Sequence, residues 1–258
     1  MNLRIRSRNH TANGLKGMIE VPIATVLRLG SITPNEEIFS YQIKTNRPYR
    51  EINTVEGCNN SSNKILMKQC FINNNVITAE YNILATVANE IDNWPYYPAI
   101  IKHKYSSKGE GIYYVEDKNA LIELIKQLHV CENYIIEKYY TYSKEYRLHV
   151  TNDGCFYSCR KMLRHIAKER WHRHENNSVW ILESNPLFDI PSNWEEVVAE
   201  CIKAKNAVGL DICAVDVKVQ TSKYKNPKFI ILETNSAPAL GEIGVQLYLE
   251  QLRKMVNN

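Results

Sequence analysis

The sequence predicts an α+β fold, with helices layered on mixed sheet. Three observations predict it. From residue 64 the segments run helix, helix, strand, loop, strand, helix, strand, strand, strand, helix, strand, strand, helix. That order suits layered α+β better than a doubly wound sheet. Asn152-Asp153-Gly154 separates two strand-like runs, a strong hairpin signal. Residues 214–219 and 228–232 read as a second strand pair, joined by a polar loop closed by Pro227.

Residues 1–60 form a short N-terminal segment with little pattern. An apolar run at 18–29 is interrupted by Pro22 and flanked by Gly17, Gly30 and Pro34, which predicts one or two short strands and no βαβ unit. Residues 56–63 form a polar turn cluster, with Ser61 or Ser62 capping a helix over 64–71. After an Asn-rich turn at 73–75 and an extended piece at 76–78, a helix is expected over 79–91. Ile83, Leu84, Val87, Ala88 and Ile91 mark its inner face.

Strands follow at 99–102 and 112–115, separated by a polar loop with Gly109 and Gly111. Asp117 caps a helix to His129 with Leu121, Leu124, Ile125 and Leu128 on its inner face. Further strands lie at 134–137, 145–151 and 155–163. Ser192-Asn193-Trp194-Glu195 is a capping box for a helix with Val197, Val198, Cys201, Ile202 and Val208 inside and Gly209 at its end. A last helix covers 244–255.

Composition narrows the function class. With 258 residues, 44% hydrophobic and 23% charged, the chain has enough apolar residues for a real core. A net charge of +4 permits an anionic ligand without requiring nucleic acid. Seven cysteines include no Cys-x-x-Cys pair, which points to reduced thiols in a cytoplasmic setting rather than disulfides or a zinc site. No apolar run approaches the length of a membrane span, and the basic N-terminus lacks the apolar segment of a secretory signal.

The chemistry concentrates at strand ends. Pairing the last two strands brings Asp216 near Glu233, with Asn235 close behind. Two carboxylates and an amide oxygen on adjacent strands make a hard, oxygen-only set of the kind Mg²⁺ takes when it also holds phosphates; solvated strand-end acids are the plainer reading. Lys102 ends a strand that opens into the loop SSKGEG, from Ser106 to Gly111. Small residues let backbone N–H groups approach phosphates, and the lysine adds a point charge. No Gly-Lys-Ser/Thr opens a helix here, so this is not a Walker A loop, and an ordinary hairpin turn is the plainer alternative. Glu137-Lys138-Tyr139-Tyr140 ends another strand, where backbone groups could meet a base edge, and Glu145 follows as a carboxylate for a ribose.

Taken together, this set resembles the ATP-grasp superfamily. The matching features are Lys64 before a helix, Lys102 before a Gly loop, the Glu137-Lys138-Tyr139-Tyr140 hinge and Glu145-Tyr146-Arg147. Lys161 on the next strand, Gly209-Leu210-Asp211 with Asp216, and Glu233-Thr234-Asn235 with Pro238 complete it. Their order and spacing over about residues 60–255 are similar to small carboxylate–amine ligases of the ribosomal-protein glutamate ligase type. The resemblance implies two α/β subdomains clasping ATP. Residues 61–138 would include a small lid subdomain at about 96–136, and residues 139–258 would bind metal and substrate.

The resemblance also implies roles. Lys64 and Lys102 would contact phosphates and base. Ser106, Ser107, Lys108, Gly109 and Gly111 would close over the phosphates. Glu137, Lys138 and Tyr139 would meet the adenine edge, Leu232 would lie under it, and Glu145 would bind the ribose. Asp216, Glu233 and Asn235 would hold Mg²⁺, with Arg147 and Lys161 near the γ-phosphate and substrate. The implied reaction phosphorylates a carboxylate and lets an amine displace the phosphate. An amino acid, a peptide or an acidic protein is the candidate acceptor. The N-terminal segment is shorter than the domain such enzymes carry there, and the loop holds Lys108 and Glu110 where more glycine is expected.

Residues 160–174 are strongly basic, with Arg160, Lys161, Arg164, Lys168, Arg170, Arg173, Trp171 and three histidines. Arg164, Arg170, Arg173, His174 and Asn176 are the candidate substrate contacts. The alternative function is a nucleotide-binding protein that uses this stretch to hold nucleic acid or another polyanion.

Overall fold

The computed structural model describes residues 3–7, 15, 19–106, 109–169, 171, 173, 176–221 and 223–257. Three sheets organise them, of three, five and four strands.

The five-stranded sheet is the body. Its strands are β8 (Lys144–Thr151), β9 (Gly154–Leu163), β10 (Ser178–Leu182), β11 (Cys213–Val219) and β12 (Phe229–Asn235), in the order β10-β9-β8-β11-β12, all antiparallel. Alternation gives this sheet one greasy and one polar face. Tyr146, Leu148, Val150, Val215, Val217 and Ile231 pack on α6 (Trp194–Val208) through Val197, Cys201, Ala204 and Val208. Each valine, leucine or isoleucine among them, fully buried, contributes roughly 1.5–3 kcal/mol. The polar face is left to form the site.

The four-stranded sheet is the smaller lobe: β4 (Tyr81–Ile83), β5 (Ala99–His103), β6 (Ile112–Val115) and β7 (Tyr134–Lys138), in the order β4-β7-β5-β6. The helices α4 (Leu84–Asn89) and α5 (Lys118–Gln127) cover it with Leu84, Val87, Leu121 and Leu124. The Asp117 carboxylate caps α5 by accepting from the Ala120 N–H at 2.9 Å, as its sequence predicts.

Five expectations need correction. Residues 81–83 are an edge strand on β7, not the first turn of a helix, which starts at Leu84. The apolar stripe over 79–91 fits either state at its start, and strand pairing decides it. The polar cluster at 56–63 is a helix, α2 (Val55–Ser62), capped by Thr54. Asn63, not Ser61 or Ser62, caps the next helix, α3 (Lys64–Asn73). The Ser192 box does not form. Asn193 precedes α6 without a side-chain cap, and Ser192 donates instead to the Lys225 carbonyl at 2.9 Å.

The N-terminal segment holds the fifth correction, because it does contain a βαβ unit. β1 (Arg4–Ser7), β2 (Ala24–Leu29) and β3 (Tyr49–Ile52) form a parallel sheet with β2 central, and α1 (Asn35–Lys44) connects β2 to β3. β2 is buried along its whole length, which removes the period-2 signal. Ile38 and Phe39 of α1 cover Ala24 and Val26, while Leu27 and Leu29 pack with Leu249 and Leu252 of the last helix, α7 (Glu242–Asn257). Asn53 ties this unit to the body. Its N–H donates to Asp211 at 2.7 Å, and its side-chain oxygen accepts from the Asp211 N–H at 2.9 Å.

No helix among the described residues is long and apolar enough to cross a membrane.

Candidate active site

The polar face of the five-stranded sheet carries two cross-strand rows. Glu145 of β8 stands opposite Lys161 of β9 and Lys218 of β11. One step along, Arg147 stands opposite Asp216, and Asp216 opposite Glu233. Residues two apart on a strand share a face, so both rows point the same way. A register shift beside Asp216 leaves Leu232 without a partner, half-buried at the same edge.

Arg147 and Asp216 form a two-pronged ion pair, with Nε–Oδ1 at 2.6 Å and a second guanidinium N–H on Oδ2 at 2.7 Å. Planar forks of this kind are among the stronger charge-assisted contacts. Burial opposes the guanidinium charge, but Asp216 outweighs it and raises the Arg147 pKa above its ordinary value. The Arg147 guanidinium and the Lys161 ammonium both lie over the Trp180 ring, at 4.7 and 5.3 Å from its centroid. Lys161 is 3.8 Å and Arg173 3.6 Å from the Glu145 carboxylate.

The smaller lobe contributes cations and a carboxylate. Glu137, buried at the end of β7, is held by Lys102 at 2.5 Å and by Lys68 at 2.6 Å. Burial would raise its pKa, yet the two ammonium groups hold it down at about 2. Burial lowers the Lys68 pKa, and Glu137 only partly offsets it. For Lys102 burial acts in the same direction, but Glu137 prevails and the pKa is raised. Lys64, at the start of α3, donates to the Ser106 carbonyl at 2.7 Å and lies 3.5 Å from Glu233. It thereby links the Gly loop to the acidic strand pair. Gly111 sits at φ +64°, a left-handed turn that favours glycine, and its carbonyl accepts from the His103 N–H at 3.0 Å.

Asp216, Glu233 and Asn235 fit a small hard cation chemically. They are oxygen donors, all on two hydrogen-bonded strands. Among the described residues no cluster of three or more His, Cys, Asp or Glu exists, so the set is two carboxylates plus an amide. Both Asp216 oxygens accept from Arg147, and the Asn235 side-chain oxygen accepts from the Ala237 N–H at 2.9 Å.

The remaining expected residues divide. Tyr139 lies at the hinge, edge-on to Tyr114, which stacks at 5.6 Å on Trp171 of the 164–177 segment. Lys138 turns its side chain to Glu80 at 3.3 Å, so it can offer the cleft only its backbone. Arg173 reaches in, donating to the Lys161 and Ser143 carbonyls at 2.9 and 2.8 Å. Arg164 is exposed and bonds the Ser178 carbonyl at 3.4 Å, and Asn176 is exposed. Neither joins the cluster. Ser107, Lys108, Arg170 and His174 lie outside the described residues.

Sequence reasoning missed Lys68, Trp180 and a role for Lys218. Lys68 falls one turn after Lys64 on the same helix face, a spacing that could have found it. Trp180 belongs to β10, a strand the basic stretch conceals. Lys218 alternates with Asp216 and so shares its face.

No protein-family model and no curated protein sequence matches this chain. Solved structures do. D-alanine–D-alanine ligase from Bacillus anthracis matches with a TM-score of 0.60 at 13% identity, covering 96% of this chain and 80% of the ligase. The ATP-grasp ligase PsnB, complexed with a minimal precursor, matches at 0.57 and 12%, covering 90% and 78%. A biotin carboxylase–β-γ-ATP complex from Campylobacter jejuni matches at 0.58 and 19%, covering 90% of this chain and 54% of the carboxylase. Agreement over nine-tenths or more of the chain shows that it shares the fold of these ATP-binding and ATP-grasp enzymes.

Proposed function

We propose that this chain is an ATP-dependent carboxylate–amine ligase working with Mg²⁺. The observation that carries the reading is the convergence on one cleft of Lys64, Lys102, Arg147 and Lys161 with the Asp216–Glu233 pair. Phosphoryl transfer is mostly positioning and charge neutralisation, which is what such a set supplies. It needs no serine or cysteine nucleophile.

In this reading Lys64 and Lys102 hold the phosphates under the loop that begins at Ser106. The hinge of Glu137, Lys138 and Tyr139 meets the base, with Leu232 beneath it and Glu145 on the ribose. Asp216, Glu233 and Asn235 would hold Mg²⁺, which when bound neutralises phosphate charge. Arg147 and Lys161 steady the substrate carboxylate as it is phosphorylated, and an amine then displaces phosphate. The same residues would serve whether the amine belongs to an amino acid or to a peptide or protein. Seven free cysteines suit a cytoplasmic setting.

The polyanion-binding alternative has less support. Arg160 bonds the Leu187 carbonyl at 2.6 Å, Arg173 is turned into the cleft, and Lys161 sits on Trp180. These cations are engaged within the chain rather than spread as a surface stripe.

The test is ADP release from ATP and Mg²⁺, with and without a pool of amino acids and acidic peptides. Pool-dependent ADP is expected, and splitting the pool names the substrate. Nucleotide binding without ADP in any mixture, including protein acceptors, would overturn the ligase reading.

A further inference from the structure

Lys218 has no task in the reaction just proposed, yet it occupies the floor of the cleft at the hinge. It is buried, stands opposite Glu145 on the neighbouring strand, and faces the same side as Asp216. Its ammonium donates to the Tyr140 carbonyl at 3.3 Å and lies 4.7 Å from the Tyr139 ring centroid. It is therefore fixed at the hinge end of the cleft. The Gly loop begins at the opposite end of β5, since Ala99 pairs with Lys138 while Lys102 and His103 lead into the loop.

An ammonium has three N–H donors and no acceptor. Among the described residues the Tyr140 carbonyl is the one hydrogen-bond acceptor that Lys218 uses. Donors left over on a buried cation are costly unless a bound molecule accepts them. A phosphate held beneath the Ser106–Gly111 loop belongs to the other end of β5. A heterocycle meeting the hinge belongs here.

We propose that Lys218 reads the nucleotide base, with its spare N–H donors meeting acceptor atoms on the base while Tyr139 and Tyr140 hold the ammonium in place. This rests on the nucleotide-binding reading. It makes Lys218 a specificity residue distinct from Lys64 and Lys102, which serve the phosphates.

The test separates base from phosphates. The full chain is titrated calorimetrically with ATP and, separately, with inorganic tripolyphosphate, as wild type, Lys218→Met and Lys102→Met. Lys218→Met is expected to weaken ATP at least tenfold and leave tripolyphosphate within twofold. Lys102→Met is expected to weaken both. Equal weakening of both ligands by Lys218→Met would make Lys218 a phosphate contact, and no change in either would make it structural. Both results overturn the proposal. Lys218→Gln, which keeps a donor for the Tyr140 carbonyl, carries the same test if the methionine variant does not fold. Wild-type protein that binds neither ligand would sink the nucleotide reading itself, whereas a silent Lys218 variant of an ATP-binding wild type sinks only this inference.

Discussion

The Glu137 carboxylate meets the Lys68 ammonium at 2.6 Å, and its other oxygen meets Lys102 at 2.5 Å. One buried acid thus ties a helix of the body to the central strand of the smaller lobe, directly under the hinge. Removing one partner of such a pair leaves uncompensated buried charge and costs about 3–5 kcal/mol. Glu137→Gln is therefore expected to destabilise the chain by an amount of that order, read from denaturant midpoints.

The same contact sets an acid limit. The folded Glu137 pKa is about 2, below its ordinary 4.5. A depressed carboxylate stabilises fully above its unfolded pKa and loses that contribution as pH falls through the folded value. Wild-type stability should drop between about pH 4.5 and pH 2 more steeply than that of Glu137→Gln. Parallel profiles for the two proteins would remove Glu137 from the acid transition.

How much of this was legible depends on where the signal is local. The Asn152-Asp153-Gly154 hairpin, the Asp117 cap and the facing of Asp216 and Glu233 follow from short-range rules, and they appear as read. The βαβ unit was hidden because β2 is buried on both faces and shows no alternation. α2 was hidden because Asn59, Asn60, Ser61 and Ser62 read as turn residues, while a tertiary contact at Gly57 holds them helical. In the site, Lys64 was visible from its place before a helix. Lys68, one turn on, was within reach of the same helix spacing, but its pairing with Glu137 was not, because that depends on where β7 packs.

That contact at Gly57 gives a stability prediction. A Cβ built there would stand 2.2 Å from the Gly209 carbonyl oxygen, a backbone atom that cannot swing away. Alanine in a helix gains roughly 0.5–1 kcal/mol over glycine. Forcing the backbones apart costs typically 1–3 kcal/mol. Gly57→Ala should thus lower the melting temperature despite its better helix propensity. A rise would show that α2 shifts freely against the turn after α6.

Lys161→Ala tests the division between binding and chemistry. Lys161 lies on the Trp180 ring, 3.8 Å from Glu145, in the row next to Arg147. Loss of one charge-stabilising donor costs about 10²–10³ in rate. Turnover should fall by that much while ATP affinity, measured by titration, stays within a few fold. Affinity that falls as far as the rate would move Lys161 from the substrate to the nucleotide.

Glu233→Gln is the sharpest test of the metal assignment. The substitution keeps shape and one oxygen, and removes the charge. Glu233 is partly exposed, and among the described residues its one ion pair, to Lys64, is long at 3.5 Å. The contact is long and the carboxylate half-exposed, and Lys64 keeps its bond to the Ser106 carbonyl, so the fold should hold. A hard cation, by contrast, needs the anionic oxygen on β12 beside Asp216, whose own oxygens are shared with Arg147. The variant should therefore melt near wild type, lose Mg²⁺-dependent ADP release, and show no rescue on raising ATP. Normal turnover at ordinary Mg²⁺ would take Glu233 out of the site and leave Asp216 as a structural partner of Arg147.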